Sequence, residues 1–525
     1  MSTSKWFKFL AIAFLILGII FRFANLGIKP YWNDESFTSV QLYGFDYNAP
    51  SIKQQIEQRI IDAEQVQHYL YPNPRSTMGD TVSLIAQKEP QLAPLYFILE
   101  KAWIALFGNS VAVIRSFSAV AGILLLPAIY FLAMELFSSQ SIACLAVILI
   151  AISPFFLMYS QEARPYSLWS LTIVLSQIAL LRAMRKNKAN NWLFYVLATI
   201  LNLYTYVFSL LILLGQGLYV LLFEKFRLTR RGIAWLICAL MGLIGFIPWL
   251  MIFLPNTNKA NQGSFLPIPK APVQYMMRWI RSLGLVFADF NVSETSSKMQ
   301  QIFYAMVLLA ILALVSYAIY FLVRTDKTLA RLLLLSTLFV SFFPLFFKDL
   351  LTGGGVSTSP RYLIPCWLSI VLIVAYLLVK QSEQTQLPKL LWSTILSLII
   401  LIEFSSSLFM IKSELWWNKA QANLDRQFAN EVLNKAKHPL VISDNYFPGP
   451  LSLSISLNPQ VRFLLFSEQS VGRVPANESE VFLYRPSQVM LKGLKKDHQL
   501  EPVLLKDAYG PGGDLLEPHF FRVLN

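Results

Sequence analysis

The sequence predicts an α-helical polytopic membrane protein, on three observations. Hydrophobic residues make up 55% of the 525 residues and charged residues only 14%, with 39 Phe, a balance outside the range of soluble domains. Apolar segments recur along the chain, most of them near the roughly 20 residues that a helix needs to cross a bilayer. Lys and Arg gather in a few clusters between those segments, the bias expected of cytoplasmic loops.

The apolar segments lie at about 7–25, 111–137, 140–158, 166–183, 192–206, 207–223, 232–254, 299–323, 330–348, 361–379 and 390–411. The stretch 192–223 is too long for one span and short for two. Basic clusters flank it on both sides: Arg182, Arg185, Lys186 and Lys188 before it, Lys225, Arg227, Arg230 and Arg231 after it. Both belong inside, so the chain between them crosses twice and two short spans are expected. With Lys5, Lys8, Arg324, Lys327, Arg331, Lys380 and Lys389 also inside, about eleven spans result, the N-terminus in the cytoplasm and the C-terminus outside. The formal charge of +14 follows largely from this bias, and no basic surface with interleaved aromatics points to nucleic acid. The first segment is basic in front and apolar behind, like a signal peptide. Its flank FRFANLGIKP offers no small-residue cleavage site, so it is expected to stay as an anchor. Cys144, Cys238 and Cys366 lie in or at the edge of spans without paired spacing and are expected to pack as apolar residues.

Three outward regions are too long for turns. Residues 26–110 contain QQIEQRIIDAEQV, amphipathic at helical spacing, and APLYFILEKAWIALFG, both expected to lie as helices along the membrane surface. Residues 255–298 carry the Pro-rich NQGSFLPIPKAP and are expected to form a mobile loop. The tail, 413–525, alternates apolar runs (PLVIS, VRFLLF, VFLY, PVLL) with helical pattern and Gly/Pro turns. That pattern describes a small extracytoplasmic α/β domain following a transmembrane catalytic domain of residues 1–412. No Walker A, Rossmann or zinc-finger spacing occurs.

Chemistry must then come from outward-facing residues. KPYWNDESF, 29–37, follows the first span and carries Asp34 and Glu35. Neighbours on a helix diverge by about 100°, so only one of them aims into a given site; alternatively, Asn33 or Asp34 caps a helix beginning near Glu35. YSQEARPYSL, 159–168, offers Glu162, Arg164 and Tyr166. An Arg fork binds phosphate well, while the alternative is a Glu162–Arg164 pair that orders the turn before a helix started by Pro165. GGGVSTSPRYLIP, 353–365, ends in Arg361 and Tyr362, a second cation for substrate or an interfacial anchor.

These clusters together resemble the GT-C membrane glycosyltransferases, specifically the branch with the protein O-mannosyltransferases and the lipid A aminoarabinose transferase. The resemblance rests on YWNDESF, on EPQLAPLYFILEKAWIALFGNSVAVIRSFSA, on SPFFLMYSQEARPYSL and more loosely on SPRYLIP. It covers residues 10–215 well and the remainder by architecture. It implies a GT-C type fold and an enzyme that takes a sugar from a polyprenyl-phosphate carrier in the membrane lipid. The acceptor would be a protein, lipid or glycan at the outer face. Asp34 would be the catalytic base, with Glu35 beside it in the catalytic pair, and Arg164 and Arg361 would hold the departing phosphate. Glu89 stands where relatives have a second acidic residue, and Arg22 would position Asp34 or the donor phosphate unless it snorkels to the headgroups. Leu92 replaces a His that helps some relatives bind a metal or phosphate, and His68 alone makes a poor metal site. A divalent metal therefore stays open and no other cofactor is expected. Tyr206 is a second departure from a His, given no role beyond packing or lining the cavity. A polyprenyl-linked sugar flippase would instead show interrupted helices with polar residues near the midplane, and an O-antigen-type ligase would carry its key basic residues in a late loop.

Overall fold

The computed structural model describes residues 2–46, 49–256, 271–293, 296–325, 329–383, 386–414, 416–445, 447–503, 505 and 519–524. Each of the eleven apolar segments falls on a helix or a bent helix pair. Among the described residues, seven helices are long and apolar enough to cross a membrane, or eight if the bent pair Gln140–Ile152 and Pro154–Ser160 counts as one span. The stretch 192–223 is two helices, Ala189–Thr205 and Ser209–Phe223, with the extended backbone of Tyr206 ending the first. The three cysteines are buried and unpaired.

The bent pair has a definite cause. Pro154 lacks the N–H that Ile150 would receive in a continuous helix, and the chain turns by 58° at Ser153. Carbonyls freed inside an apolar bundle must find other donors. Arg22 supplies two: its Nη2 donates to Ile150 at 3.1 Å and its Nη1 to Ala151 at 3.0 Å. Ser407 Oγ takes the third, Ile152, at 2.6 Å. Arg22 is fully buried, so it neither snorkels nor reaches a phosphate, and the expectation for it is corrected: the guanidinium mends a broken span.

The tail forms a mixed sheet in the order β1-β3-β2-β4-β6-β5, with β1 Ile60–Asp62, β2 Leu440–Ser443, β3 Arg462–Leu465, β4 Val481–Tyr484, β5 Gln499–Pro502 and β6 Phe520–Leu524. The central strands β2 and β4 are buried on both faces, as their continuous apolar runs require. On one face Val441, Phe463 and Phe482 pack against Leu424 and Phe428 of helix Ala420–Glu431. On the other, Ile442, Leu464 and Leu483 pack against Met490 and Leu494 of helix Gln488–Leu494. β1 comes from the first long loop and pairs antiparallel with β3.

Two expectations are thereby corrected. QQIEQRIIDAEQV is not one surface helix: Pro50–Ile56 and Ala63–Gln67 are helical, and Ile60–Asp62 between them is a strand. Its branched residues gain more as an edge of the tail sheet than as a turn of helix. The region 255–298 is not wholly loop: Pro272–Gly284 is a helix and Leu285–Ala288 after it are buried. The stretch 261–270 lies outside the described residues.

Replacing Arg22 with Leu strands two buried carbonyls at about 1–3 kcal/mol each. The expected outcome is a clear fall in the unfolding temperature of the detergent-solubilised protein, and unchanged stability would show that water or relaxation serves those carbonyls instead.

Candidate active site

Helix Asn33–Leu42 begins one residue before Asp34, with Trp32 at its N-cap. Asp34 and Glu35 therefore point in different directions from the first turn, and neither Asn33 nor Asp34 caps the helix. Asp34 is 24% exposed and its Oδ2 accepts from Arg361 Nη1 at 2.8 Å, with Arg164 Nε at 3.9 Å from the same oxygen. Arg164 Nη1 also donates to the Asp34 carbonyl and to Thr38 Oγ1, both at 3.2 Å. Its Nη2 lies 3.9 Å from Glu89 Oε1, and Gln41 Nε2 donates to the other Glu89 oxygen at 2.8 Å. Burial pushes the Glu89 carboxyl up, with Arg164 opposing and Asp34 adding to the rise. Aromatic faces complete the cluster: Arg361 stands 5.3 Å over the Tyr362 ring and 5.8 Å from that of Tyr166, while Tyr206 stacks on Tyr362. Cationic heads packed on rings keep a fixed orientation, which a phosphate ligand requires.

Each part of this cluster is placed by a different element. Arg164 sits in the turn that follows the bent pair, just before helix Tyr166–Lys186. Arg361 lies in the single turn Pro360–Leu363, after a loop rich in Gly and Ser. That loop is fastened by helix Pro272–Gly284, where Tyr275 OH donates to Gly354, Trp279 Nε1 to Ser357 and Ser282 Oγ to Thr358. At the loop's start, Asp349 accepts from the N–H groups of Val356 and Ser357.

Glu35 goes elsewhere. It is fully buried and receives a bidentate pair from Arg115, Nε and Nη2 each at 2.7 Å. Lys419 Nζ donates to it at 3.0 Å and the Ala163 N–H at 3.1 Å. Burial raises the carboxyl, but Arg115 and Lys419 outweigh it and hold the value down at about 2. The expectation that Glu35 shares catalysis with Asp34 is corrected by this geometry, because a carboxylate saturated by two cations and a backbone N–H accepts no proton from a substrate. Glu162 turns the same way. It faces Asn418 rather than Arg164, and burial pushes its carboxyl up to about 7 against the pull of Lys419. The Glu162–Arg164 pair is therefore absent.

Asp34, Glu89, Arg164, Tyr166, Arg361 and Tyr362 thus come together, while Glu35 and Glu162 join a buried network behind them and Arg22 lies apart. Sequence reasoning missed Arg115 and Lys419. An Arg in the first turns of the apolar helix Val111–Phe137 was a usable signal, since ionisable residues there normally face a protein partner. Lys419, in a polar linker, gave none. Among the described residues no three His, Cys, Asp or Glu side chains converge as a metal site needs. The donor set does not fit a divalent ion: Asp34 and Glu89 each face a guanidinium, buried Leu92 offers no ligand, and His68 packs edge-on to Phe45.

The fold is of the GT-C type and has counterparts among solved structures. More particularly, residues 88–252 match the family model described as dolichyl-phosphate-mannose-protein mannosyltransferase. The crystal structure of ArnT from Cupriavidus metallidurans in the apo state superposes with a TM-score of 0.53 at 11% identity, over 100% of this chain and 98% of that one. The same protein bound to undecaprenyl phosphate gives 0.51 at 10% identity, over 98% and 97%. At such identity the likeness is one of fold. No curated protein matches the chain by sequence.

The Glu35 carboxyl also fixes a pH dependence. Its folded value of about 2 lies below the ordinary 4.5, so its contribution to stability is complete above about pH 4.5 and is lost as pH falls toward 2. Glu35→Ala leaves Arg115 and Lys419 without their counter-charge and is expected to cost about 3–5 kcal/mol at pH 7. Unfolding in detergent should show the gap to wild type narrowing between pH 5 and pH 3; a constant gap would sink the assignment.

Proposed function

We propose that the chain moves a sugar from a polyprenyl-phosphate-sugar donor to a hydroxyl or similar nucleophile of a protein, lipid or glycan, inverting the anomeric carbon. The observation that carries this is a partly exposed carboxylate flanked by two guanidiniums at one end of an apolar helix bundle. A sugar phosphate already has a good leaving group. The protein needs a carboxylate to take the acceptor proton and cations to neutralise the departing phosphate. Asp34 is the base. Arg361 and Arg164 are the phosphate ligands, with Tyr166 and Tyr362 fixing the Arg361 plane and Glu89 balancing Arg164. The donor phosphate competes with Asp34 for Arg361, so donor binding itself frees the base. One displacement needs no covalent intermediate and therefore no second nucleophilic carboxylate, which accords with Glu35 being locked away. Undecaprenyl phosphate binding by the ArnT of similar fold supports a polyprenyl carrier.

Topology supports an extracytoplasmic site and tail. Helix Tyr166–Lys186 starts beside Arg164 and ends in Arg185 and Lys186, so the basic end lies opposite the cluster, on the cytoplasmic side. A flippase is expected to show interrupted helices with polar residues near the bilayer midplane. The bent pair is an interrupted helix, yet the carbonyls it frees are taken up by buried Arg22 and Ser407.

Asp34→Asn is expected to lower turnover of a polyprenyl-phosphate-sugar pool by about 10²–10⁴-fold while donor still binds. Arg361→Lys, which keeps charge but loses the planar fork, is expected to lower kcat/KM by at least about tenfold. Both are read with the purified protein in lipid and a membrane extract as acceptor. Unimpaired transfer by Asp34→Asn removes it as the base, and donor left unconsumed by the wild-type chain across a broad pool argues against transfer altogether.

A further inference from the structure

The side chains of four consecutive residues at the head of the tail, Trp416, Trp417, Asn418 and Lys419, each donate a hydrogen bond to a carboxylate of the membrane domain behind the Asp34 cluster or leading to it. Trp416 and Trp417 Nε1 both donate to Asp289 Oδ2, at 3.0 and 2.7 Å. Asn418 Nδ2 donates to Glu162, and Lys419 Nζ to Glu35 and to the Pro30 carbonyl. These acceptors belong to three separate pieces of chain. Glu35 and Pro30 bracket Asp34. Glu162 shares its turn with Arg164, whose N–H donates to the Glu162 carbonyl at 2.8 Å. Asp289 follows helix Pro272–Gly284, which fastens the loop leading to Arg361. The rest of the tail grips the same strand of chain: Arg426 Nη1 donates to the Ile28 carbonyl at 2.8 Å and Ser452 Oγ to that of Tyr31 at 2.7 Å.

Nothing about anchoring the tail requires an ammonium buried against a carboxylate that Arg115 already pairs at both oxygens. Burying a charge is costly, and apolar contact would have docked the tail at less cost. Lys419 sits where it adds direction: its attachments at Pro30 and Glu35 lie on either side of Asp34 and fix the first turn of that helix. A site of this kind tolerates little error, since a displacement of about 1 Å can cost roughly 10²-fold in rate.

We infer that the Trp416–Lys419 segment sets Asp34, Arg164 and Arg361 in mutual register, with Lys419 as a positioning residue for Asp34, so that the tail is a working part of the membrane active site. The inference rests on the reading of Asp34 as the base. The test uses the full chain in lipid nanodiscs, with kcat and donor KM measured per folded molecule on a polyprenyl-phosphate-sugar pool. Lys419→Met is expected to lower kcat by about 10²-fold with donor KM nearly unchanged, and Lys419→Arg, whose head reaches Glu35, to recover most of it. A purely structural role would lower the yield or the unfolding temperature and leave kcat of the folded fraction alone. Asn418→Ala, which deletes one hydrogen bond to Glu162, keeps the question open to an answer if Lys419→Met does not fold: it is expected to lower kcat severalfold, and a wild-type kcat would overturn the inference. Asp34→Asn runs alongside. If it stays active, the base assignment falls; if it is silent while folded Lys419→Met turns over normally, the register role alone falls.

Discussion

The bidentate contact of Arg115 with Glu35 is the interaction on which the site depends. It joins the start of a long apolar helix to the first turn of the helix that carries Asp34, with both charged groups buried. Arg115 also donates to the carbonyls of Leu26, Lys29 and Pro30, so the loop leading out of the first span is wound around one guanidinium. With five donors in a rigid plane, Arg does this where Lys could not. The neighbouring carboxylate is then free to face the other way. A pair of adjacent acids is thereby divided between a buried ion pair and a partly exposed cluster, and the division follows from the 100° step between neighbours on a helix.

A second constraint governs the other half of the site. Arg164 reaches Asp34 because the preceding span bends at Pro154, and the bend is tolerable because Arg22 and Ser407 receive the freed carbonyls. Two arginines near the same end of the bundle thus do unrelated work. Arg22 answers to backbone chemistry, whereas Arg164 answers to side-chain charge.

Much of this was legible in the sequence. The apolar helices follow from hydropathy, and each of the eleven segments falls on a helix or a bent helix pair, seven or eight of them long and apolar enough among the described residues to cross a membrane. Asp34, Arg164 and Arg361 were legible because polar residues at the ends of apolar segments are few and stand out. The rest depended on contacts that no local pattern encodes. Ile60–Asp62 carries helical periodicity and becomes a strand only because β3, some 400 residues later, offers an edge. Glu35 reads as half of a catalytic pair until Lys419 and Arg115 arrive from distant segments. Arg22 looks like a snorkelling residue unless the carbonyl released by Pro154 is counted.

The membership of β1 in the tail sheet has a temporal consequence. Its partner strand is made some 400 residues later, so the loop that bears Asp34 cannot reach its final form until β3 has been synthesised. The helix Asn33–Leu42 that carries Asp34 thus has part of its surroundings supplied from far along the chain, Ser452 Oγ reaching the Tyr31 carbonyl just before it. By borrowing an edge strand from the first loop, the tail sheet makes that loop wait for a distant partner before it can settle.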